Sequence, residues 1–228
     1  MRPYLDPRDH AFANGPVFTR PDSPAAARAL FDDPEDGDRL LEVFAAFDRG
    51  GEAGEGLRLG LNARLLTPDG ERRARFGRDC VIRGIIRCEG SGEVVLGDEA
   101  YVGDGAIVSA RTRVEIGAGV LLAHGVQVFD NDTHPTGAAE RQAHFRSILK
   151  IGPRRDFAIA ARPVRIGSRC WLGFSSVVMK GVTIGDDAIV AAAAVVTSDV
   201  AAGSVVAGNP ARRVRPRRGG WLGGRRPG

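Results

Sequence analysis

The chain contains 228 residues, of which 43% are hydrophobic and 26% are charged. This composition is typical of one globular domain, with or without a small appendage, and it excludes a disordered chain or a large multidomain assembly. The formal net charge of +4 depends on one segment. Residues 212–228 hold seven of the 32 basic residues, which leaves 25 basic against 28 acidic residues elsewhere. We therefore interpret this segment as a solvated basic C-terminal tail, and nucleic acid is not an expected partner.

Cysteine content and hydropathy indicate a soluble protein of a reducing compartment. Cys80, Cys88 and Cys170 form no CxxC pair and no cluster with histidine, so neither a disulfide framework nor a zinc site is expected. Residues 1–16 lack the apolar segment of a signal peptide, and no apolar run approaches the ~18 residues that a membrane span needs. We expect a cytoplasmic protein with no membrane partner and no metal.

The N-terminal third has the signals of short helices followed by a strand. SPAAARALF (23–31) and PEDGDRLLEVFAAF (34–47) each carry a proline or an acid near the start, which predicts two short helices. LRLGLNARLL (57–66), followed by TPDGE, predicts a strand and a turn. We expect residues 1–79 to form a helical and strand cap that covers the open end of the domain after it.

Aliphatic residues recur at intervals of six in the rest of the chain. The twelve positions fall into four groups of three: Leu96, Val102, Val108; Ile116, Leu122, Val128; Ile166, Leu172, Val178; and Ile184, Val190, Val196. A period of six fits neither a helix, which repeats at about 3.6, nor hairpins, whose turns recur every ~8 to 12 residues. The pattern predicts a solenoid in which three short strands complete a triangular coil and coils stack ~4.8 Å apart.

The solenoid is expected to span residues 80–211, with three irregularities. Residues 80–95 are interpreted as a degenerate first coil. Its inward residues are expected to be Ile82, Cys88 and Val94. Two extra residues between Val108 and Ile116 indicate a bulged corner. Residues 129–163 interrupt the period as one long extruded loop, and long loops on regular scaffolds commonly carry function.

Three stretches are the most informative: DNDTHP (130–135), CWLGFSSVVMKGVTIGDDAIVAAAAVVTSDV (170–200) and AGNPARRVR (207–215). Together with the repeats, they resemble the hexapeptide acyltransferase superfamily, and in particular its sugar O-acetyltransferase branch of maltose, galactoside and nodulation-factor acetyltransferases. The resemblance implies an all-β fold, a left-handed parallel β-helix with a small helical N-terminal cap and one extruded loop. It also implies a homotrimer that binds acetyl-CoA in the groove between adjacent subunits and transfers the acetyl group to a hydroxyl of a sugar or glycosylated small molecule.

The resemblance maps the family's catalytic base, a histidine followed by proline in the loop, onto His134. An alcohol is a poor nucleophile toward a thioester until its proton is removed, and an imidazole can take that proton and return it to the departing thiolate. Asp130 and Asp132 are candidates to hold the imidazole or contact acceptor hydroxyls, although a DND turn is also ordinary loop chemistry. Ser109, where the family has an acceptor-binding asparagine, and His144, further along the loop, are further substrate-binding candidates.

The resemblance also implies a set of acetyl-CoA contacts. The residues that match are Trp171, Gly173, Ala191, Ala192, Thr197, Arg212 and Arg215. Trp171 would lie beside the pantetheine arm, and the two arginines would bind the nucleotide phosphates, for which guanidinium groups are well suited. Trp171 can equally be a packed solenoid corner, and the alanines can be small because the corner is tight. Phe174 departs from the small polar residue that sugar acetyltransferases often have there.

Other interpretations stay open at this point. Transfer to the nitrogen of an amino sugar is the nearest alternative. A γ-type carbonic anhydrase, a zinc enzyme on the same solenoid, would use three histidines, for which His124, His134 and His144 are available, but their spacing does not match its close histidine pair. A non-catalytic solenoid scaffold is the third, because a fold alone does not establish an activity. The acceptor's identity and the length of the acyl group are left open.

Overall fold

The computed structural model describes residues 16–68, 71–151 and 157–214. The helices in these residues are α1 (Pro24–Arg28), α2 (Pro34–Gly50) and α3 (Ala138–Ile151). The strands before α3 are β1 (Val17–Phe18), β2 (Gly51–Ala53), β3 (Arg58–Gly60), β4 (Arg64–Leu66), β5 (Ala74–Phe76), β6 (Val81–Ile82), β7 (Ile85–Cys88), β8 (Glu93–Leu96), β9 (Tyr101–Val102), β10 (Ile107–Ala110), β11 (Arg113–Ile116), β12 (Leu121–Leu122) and β13 (Gln127–Phe129). The strands after it are β14 (Val164–Ile166), β15 (Trp171–Leu172), β16 (Val177–Val178), β17 (Thr183–Ile184), β18 (Ile189–Val190), β19 (Val195–Val196), β20 (Val205–Ala207) and β21 (Arg212–Arg213). None of these three helices combines the length and the apolar character that crossing a membrane requires.

Three sheets form the faces of a triangular prism. The nine-stranded sheet has the order β1-β3-β6-β9-β12-β15-β18-β20-β21. The β4 sheet has the order β4-β7-β10-β13-β16-β19, and the β2 sheet has the order β2-β5-β8-β11-β14-β17. Consecutive strands such as β8, β9 and β10 pass to the three sheets in turn, and their ladders are parallel. This is the parallel β-helix that the period of six predicted.

The core of the prism is the row of aliphatic residues that defines the repeat. All twelve predicted inward positions are at most 3% exposed. Their register is also as predicted, because Leu96, Ile116 and Ile166 pair across β8, β11 and β14. Full burial of one such side chain contributes roughly 1.5–3 kcal/mol. Each coil buries three of them, so successive coils add about equally to the free energy of unfolding.

The parallel ladders begin at residue 51, earlier than the expected residue 80. β2 pairs with β5, β3 with β6 and β4 with β7, all in parallel register. The three residues predicted to face inward in the degenerate coil are buried. Ile86, however, is the residue that pairs with Val108, and Cys88 pairs with Ala110. The period of six does not reveal these first coils because their corners differ in length from the hexapeptide corner.

The cap over the first coil is made by the two predicted helices, and both are present. Asp33 caps α2, since its carboxylate accepts the Glu35 backbone N–H at 2.9 Å. Phe44 and Phe47 lie on the buried side of α2, and the Phe47 ring is 5.4 Å from that of Phe76 in β5. The helix therefore closes the open end of the prism with aromatic packing.

The extruded loop contains α3, a helix that the sequence analysis did not predict. His144 is the one fully buried side chain among those described on this helix. Phe145 and Leu149 are 51% and 69% exposed. The apolar residues of α3 are therefore largely exposed, and the segment was interpreted as an extruded loop because it interrupts the period of six.

Candidate active site

The described candidate residues lie mainly at two corners of the prism. The turns that lead from the β4 sheet to the β2 sheet form one corner, named here the His134 corner, from which the extruded loop leaves after β13. The turns that lead from the nine-stranded sheet to the β4 sheet form the Gly173 corner, which holds Gly173, Ala191 and Ala192. The β4 sheet separates the two corners, so a single chain does not bring the two groups to one edge.

Asp130 joins the start of the loop to the bulged corner of the preceding coil. Its side chain is completely buried. Its carboxylate accepts the backbone N–H groups of Arg111, Thr112 and Arg113 at 2.7, 2.6 and 2.9 Å. The Thr112 hydroxyl and the Asn131 side-chain amide donate to it as well, at 2.7 and 2.9 Å. The bulged corner that the two extra residues predicted thus supplies three backbone donors for a buried carboxylate.

The three residues before His134 fix the direction of the loop. The Thr133 backbone N–H donates to Asn131 Oδ1 at 2.8 Å, in the manner of an Asx turn. Thr133 has φ of +60°, in the left-handed region that β-branched residues rarely adopt. Asp132 forms an ion pair with Lys180, which follows β16 in the next coil. The loop is therefore attached to the coils on both sides of it.

His134 and His144 form a pair at the end of this loop. Their Nδ1 atoms lie 3.2 Å apart, within hydrogen-bond distance. His144 is 3% exposed, and its ring centroid is 4.7 Å from that of Phe157, whereas His134 is exposed. When both rings are neutral, one Nδ1 donates and the other accepts. The structure therefore brings together the predicted base and one of the predicted substrate-binding residues.

A cavity of about 560 Å³ opens beside this pair, between α3 and the His134 corner. Its size falls within the ~300–1,000 Å³ of small-molecule sites. Its lining includes the two histidines, Ile148 of α3 and the charged residues Arg87, Glu89 and Arg111. The cavity combines an imidazole with charged hydrogen-bonding groups, which is suitable for a polar substrate that must lose a proton.

Glu89 is the centre of the charged cluster on the cavity wall. The guanidinium nitrogens of Arg87 and Arg111 lie 3.9 Å from its carboxylate oxygens. Ser109 is completely buried, and its hydroxyl donates to Glu89 Oε1 at 3.3 Å. Ser109 is a candidate from the sequence, whereas Glu89 and the two arginines are not. Glu89 and Arg87 belong to the degenerate coil, where the broken period gave no register from which to place them beside the loop.

Cys88 lies on the wall of the same cavity but is held as a neutral thiol. Burial raises its pKa to about 11. Its Sγ donates to the carbonyl oxygen of Arg73 at 3.5 Å. A thiol with so high a pKa is a poor nucleophile at neutral pH, so this arrangement favours direct transfer over an acyl-cysteine intermediate.

The Gly173 corner is built from stacked backbone. A Cβ atom at Gly173 would lie 2.6 Å from the backbone nitrogen of Ala192, so the stacking of coils excludes any side chain there. Ala191 is half-buried and Ala192 is exposed. The corner therefore offers a surface of backbone and methyl groups that runs parallel to the prism axis.

Trp171 lies on the outer face of the nine-stranded sheet and is 47% exposed. Its register neighbours on that face are Leu121 and Ile189. At the adjacent Gly173 corner, Phe174 is 55% exposed and stacks on His124 with ring centroids 6.1 Å apart. These residues form an exposed apolar and aromatic strip, which is suitable for contact with another molecule.

The three histidines considered for a zinc enzyme do not converge. His124 stacks on Phe174 at the Gly173 corner, whereas His134 and His144 pair at the His134 corner. Over residues 16–68, 71–151 and 157–214, no group of three or more His, Cys, Asp or Glu side chains is arranged to hold a metal ion.

The remaining predicted cofactor residues lie toward the C-terminal end of the prism. Thr197 is exposed and follows β19. Arg212 is exposed on β21 and lines a smaller cavity of about 240 Å³ together with Arg213 and Ser198. Arg215 lies outside the described residues.

Comparison with known proteins places this architecture among acyltransferases. A family model described as the hexapeptide repeat of succinyl-transferase matches residues 163–198. Nodulation protein L of Rhizobium meliloti (strain 1021) is 37% identical over 142 residues, which cover 62% of this chain and 70% of the relative. The putative colanic acid biosynthesis acetyltransferase WcaF of Escherichia coli (strain K12) is 31% identical over 144 residues, 63% of this chain and 70% of WcaF.

A solved structure has the same fold. It is a mutant of AntD, an N-acyltransferase from Bacillus cereus, in complex with dTDP and coenzyme A. The TM-score is 0.59 at 16% sequence identity, over 80% of this chain and 90% of AntD. The hexapeptide solenoid and these sequence relatives define the class of the protein, which is an acyltransferase enzyme. Within that class, the chain belongs to the hexapeptide-repeat acetyltransferase family that includes nodulation protein L and WcaF.

Proposed function

We propose that this enzyme transfers the acetyl group of acetyl-CoA directly to a hydroxyl of a sugar or glycosylated small molecule, with His134 as the general base. The observation that carries the proposal is the His134 imidazole, held through Nδ1 beside His144 on the wall of a cavity of about 560 Å³. With Nδ1 turned toward His144, Nε2 is the nitrogen that remains for a substrate proton.

The chemistry at His134 balances as a direct transfer. The acceptor hydroxyl gives its proton to Nε2 of His134 as its oxygen bonds to the acetyl carbon. Acetyl-CoA supplies the thioester, whose carbon–sulfur bond breaks in the same transfer. The imidazolium then returns the proton to the departing sulfur, so His134 ends in its starting state. No acyl-enzyme is required.

The acceptor would bind in the cavity beside His134. The carboxylate of Glu89 can accept hydrogen bonds from hydroxyl groups, and the guanidinium groups of Arg87 and Arg111 can donate to oxygen atoms. This set of groups suits a polyhydroxyl molecule. Transfer to an amino group is the second candidate, which is favoured by the fold likeness to AntD, an N-acyltransferase in complex with dTDP.

The Gly173 corner and the nine-stranded sheet that leads to it fit the remaining requirement, a surface for coenzyme A. The exposed indole of Trp171 offers a flat apolar face, the corner around Gly173 has no side chain to obstruct a pantetheine arm, and the exposed Arg212 offers a cation for phosphate. Because the β4 sheet separates this corner from His134, we propose a homotrimer in which one subunit supplies the base and its neighbour supplies the cofactor surface.

The test combines calorimetry with a transfer assay. Acetyl-CoA binding is measured by titration calorimetry, and thiol release is followed with a panel of sugars, nucleotide sugars and amino sugars. We expect His134→Ala to bind acetyl-CoA with the wild-type affinity and to lose roughly 10²- to 10⁴-fold in kcat. Thr136→Ala is the matched control, because Thr136 is an exposed residue of the same loop outside the cavity lining.

The outcomes separate the parts of the proposal. No acetyl-CoA binding by the wild type at about millimolar concentration would remove the acetyl-CoA proposal. Binding with transfer only to amino sugars would select the N-acetyltransferase alternative. Transfer that survives in His134→Ala would remove His134 as the base while leaving the enzyme class intact. A monomeric mass by sedimentation equilibrium, with full activity at the same concentration, would contradict the shared site.

A further inference from the structure

The Nδ1-to-Nδ1 contact between His134 and His144 restricts where their protons can lie. The two atoms are 3.2 Å apart. If both rings carried a proton on Nδ1, two N–H groups would point at each other, and if neither did, two lone pairs would face each other. The contact is a hydrogen bond only when one Nδ1 atom is protonated and the other is not.

The two possible arrangements differ in their consequence for catalysis. If His144 donates, neutral His134 carries its own proton on Nε2, and neither of its nitrogens can accept a proton from substrate. If His134 donates through Nδ1–H, its Nε2 is free to accept. The second arrangement also persists after proton transfer, because the imidazolium of His134 still donates through Nδ1–H to neutral His144.

We propose that His144 is a positioning residue whose Nδ1 accepts the Nδ1–H of His134 and thereby holds the general base in the tautomer with Nε2 unprotonated. This proposal rests on the proposed function of His134, and it assigns His144 to the base rather than to the substrate. His144 would do for this histidine what a carboxylate or carbonyl partner does elsewhere, which is to fix its tautomer and orientation.

The surroundings of His144 suit a fixed partner. Its side chain is 3% exposed, and its ring packs on Phe157 at 4.7 Å between centroids with an interplanar angle of 42°. It is the one fully buried described side chain of α3, so the helix anchors the ring of His144 rather than presenting it to solvent. His134 is held from the other side by the loop, through the Asp130 and Asp132 contacts already described.

The first measurement reads the tautomer itself and needs no activity. Long-range ¹H–¹⁵N correlation spectra of the full chain, at about pH 8.5 where ordinary imidazoles are neutral, report which nitrogen of each ring is protonated. The two rings are assigned from the spectra of the single variants. We expect Nδ1–H on wild-type His134. A wild-type His134 that is protonated on Nε2 under these conditions would overturn the proposal.

The second measurement compares two substitutions at one position. His144→Asn keeps an amide oxygen near the place of Nδ1, so it can still accept from His134, whereas His144→Leu keeps bulk and removes the acceptor. We expect His144→Leu to lose roughly 10- to 100-fold in kcat with the acceptor KM within about twofold, and His144→Asn to recover most of that loss. In His144→Leu, the His134 ring should lose its fixed Nδ1–H tautomer.

The alternatives give different results. A direct contact of His144 with substrate predicts a raised acceptor KM with kcat little changed, which contradicts positioning. Equal losses in the Asn and Leu variants also contradict it. If no acceptor is acetylated by the wild type, the proposed function fails, but the tautomer spectrum still decides whether His144 fixes His134.

Discussion

The two corners of the prism are made in opposite ways. At the Gly173 corner, the coils from β9 onward turn with the same four-residue spacing, and the close approach of Gly173 to Ala192 leaves room for backbone and little else. At the His134 corner, the coils turn with different lengths, and one of them extends into a loop that contains α3. Regularity gives an extended, uniform surface, whereas irregularity gives a cavity with its own set of side chains.

This difference matches the two tasks of an acyltransferase of this family. A long, thin molecule such as a pantetheine arm needs a smooth surface along the prism axis, which stacked identical corners provide. Proton transfer needs individual side chains held at defined distances, which only a departure from the repeat can provide. We therefore infer that the repeat supplies the cofactor surface and that interruptions of the repeat supply the catalytic groups.

The largest combined effect on stability and kcat is expected from removing the Asp130 carboxylate, which fixes the His134 corner. Asp130→Ala leaves three backbone N–H groups, one hydroxyl and the Asn131 side-chain amide without this acceptor. At about 1 kcal/mol for each of the five lost bonds, we expect the free energy of unfolding to fall by roughly 5 kcal/mol. Because displacement of the base by about 1 Å costs about 10²-fold, kcat should fall by at least that factor. Urea unfolding followed by circular dichroism and the thiol-release assay measure the two effects.

Asp199 provides the matched control, because it lies in the last turn of the His134 corner, after β19. It is exposed, and its carboxylate accepts one backbone N–H, from Thr183 at 2.8 Å. We expect Asp199→Ala to lower the free energy of unfolding by about 1 kcal/mol or less and to leave kcat unchanged. If Asp130→Ala instead keeps wild-type stability and only raises the acceptor KM, then Asp130 contacts the acceptor, which is one of the roles considered for it from the sequence.

An intermediate effect, on acetyl-CoA affinity, is expected from a charge placed at the Gly173 corner. Ala192 is exposed at the Gly173 corner, so Ala192→Glu should fold normally and oppose the phosphate charges of coenzyme A. We expect roughly tenfold weaker acetyl-CoA binding by calorimetry, with kcat at saturating cofactor within about twofold of wild type. This is the converse of His134→Ala, which should alter kcat and not cofactor affinity.

Mixing these two variants tests whether neighbouring subunits share a site. In a threefold assembly, a neighbouring pair of His134→Ala and Ala192→Glu subunits can form one site in which both corners are intact. Co-refolded mixtures assayed at limiting acetyl-CoA should regain about a quarter of the wild-type sites. If the mixture shows no more than the average activity of the two variants, the base and the cofactor surface belong to the same subunit.

The sequence predicted the regular part of the molecule because that part repeats. Twelve aliphatic residues at one spacing were sufficient to place the three sheets, their register and the core. The same method could not find the first coils, where Ile86 takes the place expected of Cys88, because a corner of changed length shifts the register. It also missed α3, because residues 129–163 interrupt the period of six and were interpreted as one extruded loop.

The site was predictable residue by residue but not as an assembly. His134 and His144 were both candidates, yet their separation of ten positions gave no reason to expect an Nδ1-to-Nδ1 contact, because that contact depends on the unpredicted helix. Glu89 was absent from the candidates. It lies in the degenerate coil, where the broken period gave no register from which to place it beside the loop. Long-range contacts at irregular corners are set by tertiary packing rather than by any local pattern.

The smallest effect concerns the three cysteines, which report how readily each region opens. Burial raises the pKa of Cys80, Cys88 and Cys170, and for Cys88 the value is about 11. Since only the thiolate reacts, raised pKa values mean less reactive thiol at neutral pH, so a thiol reagent should label the native protein slowly and the urea-unfolded protein at all three positions. The native protein should therefore add little background to the coenzyme A release assay.

The order of labelling then separates the two kinds of corner. Cys88, at the end of β7, lines the cavity at the His134 corner, whereas Cys80 and Cys170 are buried in turns that do not line it. Irregular segments with fewer buried contacts open at lower free energy than the repeat around them, so Cys88 should be modified first when the reaction is followed by peptide mass spectrometry. Because this labelling proceeds through the opened state, where burial no longer raises the pKa, its rate should increase with pH up to the ordinary thiol pKa of about 8.5 and level off above it. If all three cysteines react at one common rate, the His134 corner opens only with the whole solenoid, and its cavity is as rigid as the coils that support it.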